Sequence, residues 1–315
     1  MAWVTWRQHR PQLVVAVGAL LALIAAAVAT HQPIADAYHR DALSGCLPPS
    51  QRSGCDLIVR HFESEFGGWV SALRGVGALP LLLGLFVGAP LLARELEQGT
   101  HRFAWTQTVS RRRWLLSKTA FLAAGTLVVS AALSAITMWW RSPFDTLQGR
   151  MSPRGFDIEG LVVPAYALFA LAVGMLAGLL LRRTIAAMSV TLVVFAGTRL
   201  AVAKVLRPHF LAPLHRSVVA TDSGRHVGEW VLNDTLVDAG GQTITAARED
   251  LAIVHAQQAG IDPHEYLVNL GWKRTISYQP PSRFWTFQLF EAGLFVALAV
   301  AVVAVAVWYV RRTSA

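Results

Sequence analysis

The sequence predicts an all-α integral membrane protein with six transmembrane helices and a small mixed α/β domain inserted between the fifth and the sixth. Two observations lead to this fold class. Hydrophobic residues make up 54% of the 315 positions and charged residues 15%, and the mean hydropathy of +0.44 is typical of membrane proteins. The net charge of +9 is spread between apolar segments. This distribution argues against a nucleic-acid partner, which would require a basic stripe.

Six apolar segments account for the predicted spans, because about twenty such residues cross ~30 Å of hydrocarbon. They are residues 11–30, 75–93, 119–140, 161–181, 184–205 and 284–310. The first exceeds the apolar core of a signal peptide, so we predict an uncleaved span after an interfacial segment at 1–10. Pro80 and Pro90 predict kinks in the second span. Only Arg182 and Arg183 separate the fourth span from the fifth, which predicts a tight antiparallel pair.

Polar segments divide the chain into domains. Residues 31–68 are predicted to form an exterior loop with short helices at 34–43 and 57–66, and residues 141–159 to form a shorter loop. The predicted domains are the N-terminal segment 1–10, spans one to five in 11–205, the extracytoplasmic insertion 206–283, and the last span with a cytoplasmic tail in 284–315.

The extracytoplasmic insertion carries signals for both strand and helix. Residues 230–237 and Thr243-Ile244 predict a hairpin around the turn Gly240-Gly241. Residues 246–259 predict a helix. The insertion is therefore expected to be a small mixed α/β domain.

The distribution of basic residues predicts the orientation of the spans. With six spans, one side holds the N-terminus, the loop 94–118, the Arg182-Arg183 turn and the C-terminus. These segments contain 12 Lys and Arg residues, against the two acids Glu95 and Glu97. The rest of the chain has 16 basic and 17 acidic residues, which nearly balance. We therefore predict that both termini and the loop 94–118 are cytoplasmic.

The loop at residues 94–118 carries helix stop and start signals. Gly99 is suited to end the preceding helix, because glycine adopts the left-handed conformation without a Cβ penalty. Ser110 is suited to cap the following helix. Residues 101–107 leave room for about two helical turns between these signals. The pattern predicts a helix end, a short helical link and a new helix.

This loop resembles the intracellular loop of type-2 ATP-binding-cassette (ABC) exporter permeases. The matching residues are Glu95, Glu97, Gly99, Thr100, Val109, Ser110, Arg111 and Lys118. In that family the loop holds a coupling helix that docks on a separate ATPase subunit. The resemblance implies a docking role for Glu95, Glu97, Gly99, Thr100, Arg102, Phe103, Trp105, Ser110 and Arg111. It also implies that ATP and magnesium bind to the partner ATPase and that this chain has no cofactor of its own.

Other segments are similar to permeases of actinobacterial type. They are Trp6-Arg7-Gln8-His9-Arg10, a cysteine pair after the first span, Arg207-Pro208-His209, Tyr278-Gln279-Pro280 and Arg283-Phe284-Trp285. The cysteines, Cys46 and Cys55, are closely spaced in the predicted exterior loop. This suits a disulfide if that side is oxidising, and the alternative is two unpaired thiols. The resemblance implies a multi-pass protein of the bacterial plasma membrane that pairs with a second copy.

The sequence lacks the common catalytic motifs. It contains no G-x-x-x-x-G-K-[ST] segment, so the chain is not expected to hydrolyse ATP alone. It contains no C-x-x-C, H-E-x-x-H or G-x-S-x-G segment, and its 10 histidines are scattered, so we expect no metal site. These absences favour a transport subunit over an enzyme.

Two ionisable residues and two glycine motifs stand out within the spans. Glu291 is a candidate substrate contact or proton acceptor, because an ionisable residue within a span often marks a functional site. The alternative, which we favour, is a structural pair with Arg283 or Arg199. Arg199 lies close enough to the interface for its side chain to reach it.

The motifs Gly84-x-x-x-Gly88 and Gly174-x-x-x-Gly178 permit close helix packing and are weak indications of a dimer face.

Together these features predict the membrane-spanning permease subunit of an ABC exporter, moving a hydrophobic or amphipathic cargo with ATP hydrolysed by a separate ATPase subunit. The expected partners are that ATPase, a second permease copy and membrane lipid. The alternative is a non-transporting membrane anchor or maturation factor that acts through its extracytoplasmic domain. The apolar spans do not identify the cargo.

Overall fold

The computed structural model describes residues 2–41, 43–46, 55–97, 111–220, 222 and 226–312. Six helical segments among them are long and apolar enough to cross a membrane, as the sequence predicted. They are Leu20–Arg40, Leu57–Arg94, Leu115–Gln148, Val162–Leu181, Thr184–His209 and Pro281–Arg312.

The secondary structure consists mainly of helices. The α-helices are α1 (Ala2–Arg40), α2 (Cys55–Leu73), α3 (Leu79–Leu83), α4 (Ala89–Glu97), α5 (Arg111–Gln148), α6 (Pro153–Phe156), α7 (Val162–Leu181), α8 (Thr184–Ala201), α9 (Ala246–Gln258), α10 (Pro263–Asn269) and α11 (Phe284–Arg312). Two π turns interrupt the spans, at Gly84–Gly88 and at Val202–Leu206. Shorter 3-10 turns lie at Leu43–Cys46, Arg74–Ala78, Arg207–His209 and Pro281–Arg283.

Helix α7 is the centre of the bundle. It packs against α3, α4, α5, α8 and α11, and 15 of its 20 residues are buried. Its composition suits this place, because its alanine and glycine residues let neighbouring helices approach closely within a membrane. Four of the other spans surround it, and α1 packs mainly against α5.

The two glycine motifs pack against each other within one chain. A Cβ atom added at Gly174 would lie 2.6 Å from the carbonyl oxygen of Gly84 and 2.7 Å from the backbone nitrogen of Ala89. A Cβ added at Gly178 would lie 2.6 Å from the carbonyl oxygen of Ala89, and one added at Gly88 would lie 2.8 Å from that of Leu171. The second and fourth spans therefore touch backbone to backbone. We call this contact the glycine seam.

The chain between the first two spans differs from the predicted loop at 31–68. Helix α1 continues to Arg40 and α2 begins at Cys55, so the short helices expected there are extensions of the spans. Helix α5 likewise continues to Gln148, whereas a loop beginning at Arg141 was predicted.

Packing between the extensions explains the difference. Phe62 of α2 contacts Phe144 of α5, with ring centroids 5.3 Å apart, in a buried cluster that also includes Ile34 of α1. The three helix extensions thus bury apolar side chains against one another. Cys46 and Cys55 form a disulfide beside this cluster, with Cα atoms 5.4 Å apart.

The domain between α8 and α11 contains an antiparallel sheet of three strands in the order β1-β3-β2. The strands are β1 (Leu214–Val219), β2 (Trp230–Val237) and β3 (Lys273–Gln279). Helices α9 and α10 cover one side through a core that includes Leu236, Ala252 and Leu267. We call the end of the bundle that carries this domain the domain end. The opposite end, with the Arg182-Arg183 turn, is the turn end.

The predicted strand at 230–237 and the predicted helix at 246–259 are confirmed, the latter ending one residue earlier. The predicted hairpin around Gly240-Gly241 is present but short. Val237 and Thr243 form an antiparallel bridge, and the backbone N–H of Ile244 donates to the carbonyl oxygen of Leu236 at 2.8 Å. The main partner of β2 is the distant strand β3. Strands β1 and β3 were not predicted, because their pairing depends on contacts across the whole domain.

Candidate functional site

A polar junction closes the bundle at the domain end. It is organised around residues 149–161, which connect α5 to α7 and which we call the junction loop. Ser134 of α5 donates a hydrogen bond to the carbonyl oxygen of Gly160 at 2.8 Å. Gln288 of α11, fully buried, donates to the carbonyl oxygen of Phe156 at 3.1 Å and accepts from the backbone N–H of Val162 at 3.0 Å. The junction loop is thereby tied to two spans at once.

An ionic network lies on one side of the junction loop and consists of Asp157, Tyr166, Arg199, Arg207 and Glu291. Arg207 holds the fully buried Glu291 through two hydrogen bonds, from Nε to Oε2 at 2.6 Å and from Nη2 to Oε1 at 2.7 Å. Its Nη2 also donates to Oδ1 of Asp157 at 2.6 Å. Tyr166 donates to Oε1 of Glu291 at 2.5 Å. Such charge-assisted, two-point contacts fix both distance and orientation.

The expected partners of Glu291 were wrong. Arg283 lies on the same helical stretch about 12 Å away along the axis, and it donates instead to the carbonyl oxygen of Ala212 and to Gln279. Arg199 donates to the carbonyl oxygen of Gly77 at 2.9 Å and lies 3.4 Å from Asp157. The structural pairing of Glu291 favoured from the sequence is present, but with Arg207.

A second ionic cluster lies on the other side of the junction loop. Arg141 of α5 is buried and forms ion pairs with Glu159 and, at 3.2 Å, with Asp145. Arg150 reaches Asp145 at 3.1 Å and Glu159 at 3.9 Å. Burial and the neighbouring Asp145 raise the pKa of Glu159 from 4.5 to about 8, although Arg141 and Arg150 lower it. Glu159 therefore keeps its proton to a higher pH in the folded protein than a carboxyl group in water does.

This raised pKa predicts how stability depends on pH. The folded state binds the Glu159 proton more tightly than the unfolded state does, so this proton stabilises the fold. The contribution is complete below pH 4.5 and is lost as the pH rises through about 8. We expect the melting temperature of the wild type to fall between pH 6 and pH 9, measured by scanning fluorimetry in detergent. Glu159→Gln cannot titrate and should have a flatter profile. Parallel profiles would show that Glu159 does not set this dependence.

The predicted coupling residues lie mostly outside the described part of the chain. Gly99, Thr100, Arg102, Phe103, Trp105 and Ser110 fall in residues 98–110, which the structure does not describe. Glu95 and Glu97 lie at the end of α4, and Arg111 begins α5. Glu97 accepts a hydrogen bond from Thr184 of α8 at 3.0 Å. The ends of three spans therefore meet beside this loop at the turn end.

Sequence reasoning missed most of the junction. Arg141, Asp157, Glu159, Tyr166 and Gln288 carried no recognisable motif, and Arg207 was noticed only within a segment shared with a family. Their roles arise from tertiary contacts. Within the described ranges, no group of three or more His, Cys, Asp or Glu residues could hold a metal ion.

Comparison with protein families gives one match. The model of a family described as ABC-2 membrane transporter related matches residues 17–207, which is more than half of the chain. The chain belongs to this family. It is accordingly a multi-pass membrane protein of ABC-2 permease type. The matched region contains the first four candidate spans, the fifth as far as Arg207, and the loop 94–118. Comparisons with curated proteins and with solved structures give no match.

Proposed function

We propose that this ABC-2 family member is the permease subunit of an exporter in the bacterial plasma membrane. ATP and magnesium bind to a separate ATPase subunit, and two copies of the chain enclose the path for a hydrophobic or amphipathic cargo. The family match over residues 17–207 carries the proposal. The absence of a phosphate-binding motif from the sequence agrees with it.

The geometry offers a route by which force at the turn end could reach the domain end. Docking of an ATPase on residues 98–110 would move the adjoining ends of α4 and α5. Helix α4 cannot move alone, because the glycine seam holds the second span against α7. Helix α7 carries Tyr166 of the ionic network. In this mechanism the polar junction is the gate, and both termini lie in the cytoplasm.

The test is whether the loop 94–118 binds an ATPase. Phe103→Ala and Trp105→Ala should each lose co-purification with the ATPase, because aromatic side chains are typical anchors at interfaces. Truncating one such anchor often costs about 2 kcal/mol, or roughly thirtyfold in affinity. Glu95→Gln should impair cargo-stimulated ATP hydrolysis more than assembly, because the acid lies where motion enters the second span.

Lys273→Ala is the control, since Lys273 is an exposed residue of the distant sheet domain. All variants should insert into membranes like the wild type. Unchanged pull-down and unchanged ATP hydrolysis in the three loop variants would remove the coupling role. The protein would then fit better with an anchor acting through its sheet domain.

A further inference from the structure

A cleft of about 580 Å³ lies at the domain end, between residues 77–81 and helix α8. Its walls are largely apolar and include Leu81, Phe195 and Leu200. Leu200 is 61% exposed, so the cleft opens sideways at a level where the bundle faces lipid. Arg199 and Asp157 also line it. The cleft therefore combines an apolar groove with one cation and one anion.

The depth of these charges matches a lipid headgroup region. Arg199 lies about 22 Å along the axis of α8 from Thr184 at the turn end. The hydrocarbon core is about 30 Å thick, so Arg199 is within roughly two helical turns of the domain-end interface. An arginine at this depth reaches the phosphate level with its long side chain.

Both charged groups keep capacity for a ligand. Arg199 has five N–H donors, and among the described residues it donates a hydrogen bond only to Gly77. Its 3.4 Å contact with Asp157 is looser than the 2.6 Å contact between Arg207 and Asp157. The side chains of Arg199 and Asp157 are 19% and 25% exposed, whereas Arg207 and Glu291 are buried. The loosely held pair is thus the part of the ionic network that faces the cleft.

We propose that this cleft binds one phosphatidylethanolamine molecule, with the phosphate at Arg199, the ammonium at Asp157 and an acyl chain along the apolar wall. Charge complementarity selects this headgroup. The ionic network contains two arginines and two carboxylates, so a zwitterion preserves its balance, whereas an anionic lipid adds an uncompensated charge. A choline headgroup has no N–H with which to donate to Asp157. The proposal requires only that the protein lie in a membrane, so it stands apart from the exporter function.

The test is native mass spectrometry of the full chain, titrated with phosphatidylethanolamine, phosphatidylglycerol and phosphatidylcholine of identical acyl chains. The wild type should bind the first phosphatidylethanolamine about tenfold more tightly than phosphatidylcholine. Arg199→Gln should weaken binding of phosphatidylethanolamine and phosphatidylglycerol alike. Asp157→Asn should remove the preference for ethanolamine over glycerol. Ala196→Phe, which fills the cleft without changing a charge, should weaken binding of all three lipids.

Lys204→Gln is the matched control, because it removes one positive charge from an exposed position in the same span. It should bind lipids like the wild type. Equal affinity of the wild type for the three lipids overturns the proposal, as does equal binding by Arg199→Gln and Lys204→Gln. If a second copy of the chain covers the cleft, Ala196→Phe will lower the fraction of dimer and leave lipid binding unchanged. That result also overturns the proposal.

Discussion

Replacing Gly174 with alanine should sharply reduce the amount of folded, monodisperse protein. The new Cβ would lie 2.6 Å from the carbonyl oxygen of Gly84 and 2.7 Å from the backbone nitrogen of Ala89. Both atoms belong to the backbone of the second span, so no side chain can rotate away, and the two spans must separate. Overpacking of this kind costs about 3 kcal/mol. The loss extends along the glycine seam, because Gly84, Gly88 and Gly178 depend on the same close approach.

A matched control separates packing from helix propensity. Gly197→Ala places the same methyl group in span five, where no atom lies within 4 Å of the new Cβ. It should leave the melting temperature unchanged or slightly raised, because alanine favours the helix by about 1 kcal/mol. Size-exclusion profiles and melting temperatures in detergent measure both variants. Equal behaviour of Gly174→Ala and Gly197→Ala would show that the glycine seam is not needed.

The glycine seam also shows what the sequence reveals about membrane packing. Small residues four apart are visible by inspection, and they predict that a backbone approaches closely. They do not identify the partner. Gly84 and Gly174 were read as weak signs of a dimer face, but in the structure each motif faces the other. The number of spans was predictable because length and apolarity alone decide it.

Only part of the ionic network could be predicted from the sequence. Glu291 stands out because an acid within an apolar segment needs a partner. Arg207 could not be assigned from its spacing as the partner of Glu291. The π turn at Val202–Leu206 inserts an extra residue and so rotates the residues after it to a different face of the helix. Asp157 and Glu159 lie in a segment predicted to be a simple loop. Their burial follows from the packing of α5, α7 and α11 around that loop, which no local pattern encodes.

Glu291→Leu should be among the most destabilising single substitutions in this chain. Arg207 would keep Asp157 as its partner, but two arginines would then share one carboxylate at the edge of the hydrocarbon. Removing one member of a buried ion pair costs about 3–5 kcal/mol, because the remaining charge is left uncompensated. Unfolding in a detergent and denaturant mixture, followed by tryptophan fluorescence, measures the loss. Arg248→Gln is the control, since Arg248 is 55% exposed in a 3.5 Å pair and should contribute less than about 1 kcal/mol.

The double variant Arg207→Met/Glu291→Leu decides whether charge imbalance is the cause. It removes one positive and one negative charge, leaves Asp157 with Arg199, and fills the site with apolar side chains of similar length. Buried pairs replaced in this way often keep their stability. We therefore expect the double variant to recover at least half of the loss caused by Glu291→Leu. The alternative result is a loss of unfolding free energy in the double variant equal to the sum of the losses in the two single variants. It would mean that Arg207 and Glu291 stabilise the domain end independently, and that the junction depends on shape more than on charge.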